Sequence, residues 1–204
     1  MAKKGRFIVF EGIDASGKSY LVDSAEKTLN SLGYKSIKTK EPSDSDIGLF
    51  LREVLRKERI LKSNFSTQLL FWADRAEHIE AEIMPSILKG INVISDRYMY
   101  STLAYGAASG LPNDQMRAFY ELSSAFLKPD AIFYLDCPAK VSIKRMEGRG
   151  KARELFEKEE FLERVRKEYL KMSKKYHFIK LDSTLTLPEL EQLVSSSLMR
   201  MFKY

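Results

Sequence analysis

At 204 residues the chain is long enough to bury a substantial core as one domain without disulfide staples or structural metal. Its 34 Lys and Arg against 28 Asp and Glu leave a net charge of +6, which suits a polyanionic ligand, yet no arm of five or more basic residues appears and nucleic-acid binding is not expected. Cys137 is the one cysteine, which excludes an internal disulfide. No apolar run approaches the roughly 18 residues of a membrane span, and no signal peptide is read at the N-terminus, so a cytoplasmic protein with no membrane partner is expected.

Phe7 to Phe10 is a short β-rich run. It flows into Gly12-x-x-x-x-Gly17-Lys18-Ser19, after which Leu21, Val22, Ala25 and Leu29 repeat with a helical period. Strand, glycine-containing turn and helix in that order make a phosphate-binding loop. Gly12 and Gly17 allow backbone conformations closed to residues with a Cβ, so successive N–H groups can turn inward around a polyphosphate at a helix N-terminus. The nucleotide-binding residues are therefore Gly12, Ile13, Asp14, Ala15, Ser16, Gly17, Lys18, Ser19 and Tyr20. Lys18 is expected to reach the β and γ phosphates, and the Ser19 hydroxyl to ligate Mg²⁺.

The helix runs over Ser19 to Leu32 and stops at Gly33. Tyr34 to Thr39 alternates as a second strand, ended by Glu41-Pro42. Apolar spacing at Ile47, Phe50, Leu51, Val54 and Leu55 predicts a helix over Asp46 to Glu58, and a longer one over Ser63 to Leu88 starts at a polar cap, with Pro85 kinking its last turn. Ile91 to Ser95 reads as a buried strand that delivers Asp96-Arg97-Tyr98 to its carboxyl end. Helices over Tyr98 to Ala108 and Asn113 to Phe126 flank Gly110-Leu111-Pro112. A fourth strand covers Ala131 to Leu135 and a helix Ala139 to Met146. A basic, glycine-containing loop, Gly148 to Arg153, precedes a charged helix over Phe156 to Lys175, a strand over His177 to Leu181 and a last helix over Pro188 to Phe202.

Five short apolar runs alternating with helices predict an α/β fold with a mostly parallel sheet covered on both faces. Ligands in such sheets sit at the carboxyl ends of the strands, where the loop, Glu41, Asp96, Arg97 and Asp136 all fall. No Asn-Lys-x-Asp is present, which demotes a guanine-nucleotide switch. Two phosphate-handling regions, the loop and the Asp96-Arg97 corner, imply two phosphorylated substrates. Two histidines and one cysteine make a zinc site improbable.

Four segments together resemble thymidylate kinases: Phe-Glu-Gly-Ile-Asp-Ala-Ser-Gly-Lys-Ser at 10–19, Leu-Leu-Phe-Trp-Ala-Asp-Arg at 69–75, Asp-Arg-Tyr-Met-Tyr-Ser-Thr-Leu-Ala-Tyr at 96–105 and Pro-Asp-Ala-Ile-Phe-Tyr-Leu-Asp at 129–136. The resemblance spans nearly the whole chain in motif order. It implies a P-loop NTPase fold, a three-layer α/β/α unit over residues 1–204 with a five-stranded sheet and a small lid at about 147–154. It also implies transfer of the γ-phosphoryl group of ATP to dTMP, with Mg²⁺, usually in a homodimer. By the same resemblance Asp14 lies near the 3′-hydroxyl and phosphate of the acceptor, Asp96 organises Mg²⁺ through water, and Arg97 grips the acceptor phosphate with a planar fork. Phe71 and Arg75, four apart on one helix face, are expected to stack on the pyrimidine and to hydrogen-bond a base carbonyl. Tyr105 packs near C2′ of the sugar, and Thr102 near the base.

Ala15 stands where one branch of the family has a loop arginine, so the resemblance assigns the catalytic cation to the lid, to Arg149 and Arg153 ahead of Lys151. No general base is required, because a phosphate monoester is largely dianionic at neutral pH. The chain departs from its relatives at Gly106, where many carry Gln, and at Ser43-Asp44, where Arg52 is a weak substitute for an arginine directed at the acceptor. Three other readings stay open at this point: a relaxed kinase that also takes dUMP, a deoxynucleoside kinase using Glu41 as base, and a nucleotide sensor without turnover.

Overall fold

A computed structural model of the chain describes residues 4–146 and 152–202, with side chains given for all of these except 152–157. Five parallel strands form one sheet in the order β2-β3-β1-β4-β5: β1 (Phe7–Gly12), β2 (Ser36–Lys40), β3 (Asn92–Asp96), β4 (Ala131–Asp136) and β5 (Ile179–Asp182). β1 lies at the centre, with Phe10 opposite Asp96 of β3 and Glu11 opposite Tyr134 of β4. The parallel sheet expected from the alternating pattern is therefore present, and every described pairing in it is parallel.

Strand periodicity sorts the core into two layers. Ile8, Phe10, Phe133 and Leu135 face α1 (Lys18–Ser31) and α9 (Leu187–Phe202), where Leu21, Leu29, Val194 and Leu198 pack. Phe7, Val9, Val93 and Tyr134 point the opposite way, against Trp72, Leu103, Val165 and Tyr169. Because both faces are covered, β1 is buried throughout, and its run of apolar residues is continuous rather than alternating. Each such fully buried large side chain contributes roughly 1.5–3 kcal/mol. Phe10 and Phe133 also stack at 4.9 Å.

The second layer is built by α3 (Asn64–His78), α4 (Met84–Leu88), α5 (Met99–Ala108), α6 (Asn113–Ser123), α7 (Ala139–Met146) and α8 (Ala152–Lys175) with their connections, and α2 (Asp46–Leu55) packs on α3. Ser63 caps α3 as expected, its hydroxyl accepting from the Ser66 N–H. The long helix expected over Ser63 to Leu88 is not a single α-helix. Between α3 and α4, Ile79–Ile83 forms a π-turn in which the Met84 N–H reaches the Ile79 carbonyl. Pro85 has no N–H for the carbonyl four residues back, and the ladder widens ahead of it while Ile79 and Ile83 stay buried. The helix expected from Phe156 begins four residues earlier, at Ala152.

Candidate active site

The loop between β1 and α1 leaves the sheet at its carboxyl edge. Gly12 has φ 148° and Gly17 φ 103°. A Cβ on Gly12 would stand 2.8 Å from the Leu135 carbonyl oxygen and 2.9 Å from Ser16 Oγ, so the first glycine is required by close approach as well as by dihedral. Ala15 sits at φ 52°, a conformation that costs a residue with a Cβ about 1–2 kcal/mol.

Neighbouring elements hold the loop in that shape. The Ser142 hydroxyl donates to the Asp14 carbonyl and the Ser183 hydroxyl to the Ser16 carbonyl, both at 2.7 Å. Arg145, in the last turn of α7, donates to the Ala15 and Ser16 carbonyls at 3.3 and 3.4 Å and is itself fixed by Ser183 at 2.9 and 2.7 Å. These supports have no signature in the local sequence. The only hint is a basic residue at the end of a helix, which is commonplace.

Gly17 is the N-cap of α1 and has no side chain to occupy the helix N–H groups. The amides of Lys18, Ser19 and Tyr20 have no partner one turn back, and together with the loop they form an anion-binding end. Lys18 lies buried across the loop, Nζ donating to the Ile13 carbonyl at 2.8 Å. Burial, and then the nearby Arg97 charge, push its ammonium down to about 8. The Tyr20 side chain is exposed on the outside of α1, so only its backbone faces this end.

The Ser19 hydroxyl donates to Asp96 Oδ2 at 2.6 Å. The other oxygen, Asp96 Oδ1, is buried and has no partner among the described residues. A hydroxyl and a carboxylate with an unsatisfied oxygen, beside the anion-binding end, fit a hard cation such as Mg²⁺, which takes few protein ligands and completes its shell with phosphate oxygens and water. Among the described residues no cluster of three or more His, Cys, Asp or Glu forms a separate metal cage.

Arg97 follows at φ 77°, a left-handed backbone that turns its side chain back over the loop. Nη1 donates to the Gly12 carbonyl at 3.0 Å and Nη2 to Asp14 Oδ1 at 2.7 Å, with the guanidinium 5.3 Å from the Tyr105 ring centroid. Burial works against charge on Asp14, but Arg97, Lys18 and Lys158 outweigh it and hold the carboxyl below its usual range.

Glu11 ties this corner together. Its carboxylate, fully buried, accepts from the Tyr98 and Ser101 amides at 3.0 and 3.2 Å and from the Ser101 and Tyr169 hydroxyls at 2.6 and 2.8 Å. It therefore caps α5 from β1 and fixes the turn on which Arg97 rides. Burial raises its carboxyl to about 7, against the opposing pull of Ser101 and Arg97.

Asp14, Phe71, Arg97, Thr102 and Tyr105 all line one cavity of about 570 Å³. Five expected substrate residues from three segments of chain thus converge. Arg75 is buried behind that wall. It donates through Nη2 to Glu41 at 2.5 Å and to Thr102 at 2.9 Å and lies between the Trp72 and Tyr98 rings, while Nε and Nη1 have no partner among the described residues. Lys158 and Phe161 of α8 close the opposite side. Arg149 and Lys151 lie outside the described residues, and Arg153 is placed only by its backbone, in the first turn of α8 rather than in a loop.

The family model described as thymidylate kinase matches residues 10–194. The chain belongs to the thymidylate kinase family. It is 36% identical to a probable thymidylate kinase of Pyrococcus horikoshii over 187 residues, 90% of each chain. It is 39% identical to a thymidylate kinase of Thermosipho melanesiensis over 180 residues, 87% of this chain and 89% of the relative. A third thymidylate kinase, from a Sulfurihydrogenibium species, is 35% identical over 95% of this chain and 97% of its own.

Within this thymidylate kinase fold, the departure at Ser43-Asp44 has a structural role. The Ser43 amide and hydroxyl donate to buried Asp74 at 2.8 and 2.5 Å, which pins the β2–α2 connection to α3. Arg52 spends Nη2 on the Pro42 carbonyl and on Asp44, both at 2.7 Å. Gly106 of α5 faces Gln68 of α3 and Met116 of α6, where a Cβ would find ordinary contact distances of 3.6 and 3.4 Å. No helix among the described residues is long and apolar enough to cross a membrane.

Proposed function

We propose that the chain is a thymidylate kinase that transfers the γ-phosphoryl group of ATP to the 5′-phosphate of dTMP, giving dTDP and ADP. The observation that carries this reading is the meeting of two anion sites at one edge of the sheet. One is the amide-lined end of α1 with Lys18; the other is Arg97, held over the loop and lining the same cavity as Phe71. The relatives that match over nearly their whole length bear the same activity in their names.

In this reading Lys18 and the loop amides bind the donor phosphates and Arg97 orients the acceptor phosphate in line with them, so catalysis comes from positioning and charge neutralisation. Ser19 and Asp96 would hold Mg²⁺, which supplies charge neutralisation across the donor phosphates when bound. Asp14 anchors the Arg97 fork and faces the sugar. Phe71 stacks on the base, Thr102 and Arg75 address its polar edge, and Tyr105 excludes a 2′-hydroxyl. A lid at about 147–154 with Arg149 and Arg153 supplies the further cation, and residues 1–204 act as one kinase domain that pairs as a homodimer in the cytoplasm.

A deoxynucleoside kinase would need a free carboxylate base. Glu41 is buried and committed to Arg75 and His78. Nor does any observation favour a sensor without turnover or a preference for dUMP. The test is ADP formation from ATP and Mg²⁺ with a panel of monophosphates: dTMP is expected to be fastest, whereas equal rates with AMP or dCMP, or turnover of thymidine alone, would overturn the assignment.

A further inference from the structure

Gln68 is 5% exposed, on a helix whose next residue, Leu69, is 44% exposed. Glutamine is mostly an exposed residue, and a buried carboxamide ordinarily finds partners for its polar atoms. This one does not: Oε1 has no hydrogen-bond partner among the described residues, although Gln68 lines the same cavity as Phe71, one turn further along α3. The surroundings explain why. A Cβ built on Gly106 would stand 3.6 Å from Gln68 Cδ, 3.4 Å from Leu111 Cδ1 and 3.4 Å from Met116 Sδ. The carboxamide carbon thus lies against the bare backbone at Gly106, and no donor to Oε1 stands among the described residues.

Oε1 has almost no exposed surface, so it meets a ligand in the cavity that Gln68 lines when the carboxamide turns toward it, and a donor that arrives with the ligand then satisfies it. Resting on the thymidylate kinase reading given above, we infer that Gln68 is a base-reading residue whose Oε1 accepts the N3–H of thymine. The ring that stacks on Phe71 turns a polar edge toward α3, and N3–H is the one N–H donor that thymine carries. Behind that wall lies Arg75, whose Nε and Nη1 have no partner among the described residues and whose positive charge favours carbonyl oxygen over a second donor. An acceptor beside donors is complementary to a 2,4-dioxopyrimidine. Gln68 then contributes to acceptor specificity from α3, separately from Thr102 on α5.

The experiment compares the full-length wild type with Gln68→Leu and Gln68→Glu on two acceptors: dTMP, and its difluorotoluene isostere. The isostere keeps the shape of the nucleotide but has C–H in place of N3–H and fluorine in place of both carbonyl oxygens. The wild type should prefer dTMP by at least about 100-fold in kcat/KM. In Gln68→Leu, KM for dTMP should rise roughly tenfold or more and the preference shrink by a similar factor, because the lost bond matters only to the natural base. Gln68→Glu keeps an acceptor oxygen and should stay within a few-fold of wild type on dTMP. The melting temperature of unliganded Gln68→Leu should be unchanged or higher, since an unpaired buried oxygen is removed.

Equal losses on both acceptors with a lowered melting temperature would mark Gln68 as structural only and overturn the inference. So would an unchanged preference in Gln68→Leu, the result expected if a buried water serves Oε1. If the wild type fails to phosphorylate dTMP, the functional reading itself falls and this inference with it. Wild-type turnover alone therefore separates the two failures.

Discussion

Arg97 and Asp14 form one rigid unit across the top of the sheet. Nη2 donates to Oδ1 at 2.7 Å while Nη1 is spent on the Gly12 carbonyl, so the guanidinium plane is fixed from two sides before any substrate arrives. A positive φ of 77° at Arg97 is held by Ser95, whose hydroxyl donates to the Arg97 carbonyl at 2.7 Å, and by Glu11 beneath. Preorganisation of this kind removes reorganisation cost at the moment of transfer.

Arg97→Lys should therefore fail despite keeping a positive charge. A single ammonium cannot bond Gly12 and Asp14 and also clasp an oxyanion in plane. The expected loss in kcat/KM for the acceptor is about 10²–10³-fold, with the KM for ATP nearly unchanged. Steady-state kinetics with each substrate varied in turn checks this, and equal losses for both substrates would count against it.

Lys18 gives a pH signature for donor binding. Its ammonium is pushed down to about 8 in the unliganded fold, chiefly by burial and Arg97, whereas a polyphosphate beside it would favour the charged form. ATP binding should then take up a proton near pH 8 to 9, and affinity should fall about tenfold between pH 7 and pH 9. Calorimetry in buffers of different ionisation enthalpy reads the proton directly. A flat affinity over that window with no proton uptake would remove Lys18 from this role.

Glu11 bears on stability with the opposite sign from most carboxylates. Folding raises its carboxyl from 4.5 to about 7, so between those values the native state holds a proton that the unfolded chain releases. The Glu11 contribution is fully present below about pH 4.5 and is lost as pH rises through 7. Glu11→Gln, whose amide still accepts from the Tyr98 and Ser101 amides, should flatten the fall in stability between pH 5 and 8 by about 2–3 kcal/mol. Urea unfolding across that range would show it, and parallel pH profiles for variant and wild type would refute it.

Much of the donor site is legible in the sequence because it is local. Gly12 to Tyr20 are contiguous, and Asp96-Arg97 end a buried apolar run, so spacing marks them as candidates while the roles of Asp96 and Arg97 come from the family resemblance. The loop supports are not local: Ser183 reaches Ser16 across 167 positions and Arg145 reaches Ala15 across 130. No periodicity encodes such pairs. Glu11 lies inside a recognisable motif, yet its work is done through Ser101 and Tyr169, far away in the chain. The π-turn at Ile79–Ile83 was hidden for another reason, since the same apolar spacing serves an α-helix until Pro85 and burial choose between the two ladders. Arg75 has the expected helical position but an unforeseen partner, Glu41, because strand-end carboxylates carry no mark of burial.

Arg145 tests whether loop shape is imposed from α7. Arg145→Ala removes the guanidinium donors to the Ala15 and Ser16 carbonyls, leaving the direct Ser183 bond to Ser16, and should raise KM for ATP roughly tenfold, about 1.4 kcal/mol, with KM for the acceptor little changed. Lysine lacks the fork needed to bridge these groups and should restore little. A variant indistinguishable from wild type in ATP affinity would show that Ser183 and Ser142 suffice.

Donor and acceptor are expected to lie end to end, one in the amide-lined loop and the other in the Arg97 cavity. Calorimetric titration, with Mg²⁺, of adenosine joined to thymidine through an oligophosphate bridge tests it most directly. Filling both sites with one molecule should give a dissociation constant roughly 100-fold or more below that of ATP, and Arg97→Ala should abolish most of that gain. Affinity equal to that of ATP, unaffected by Arg97→Ala, would show that the acceptor does not bind at Arg97.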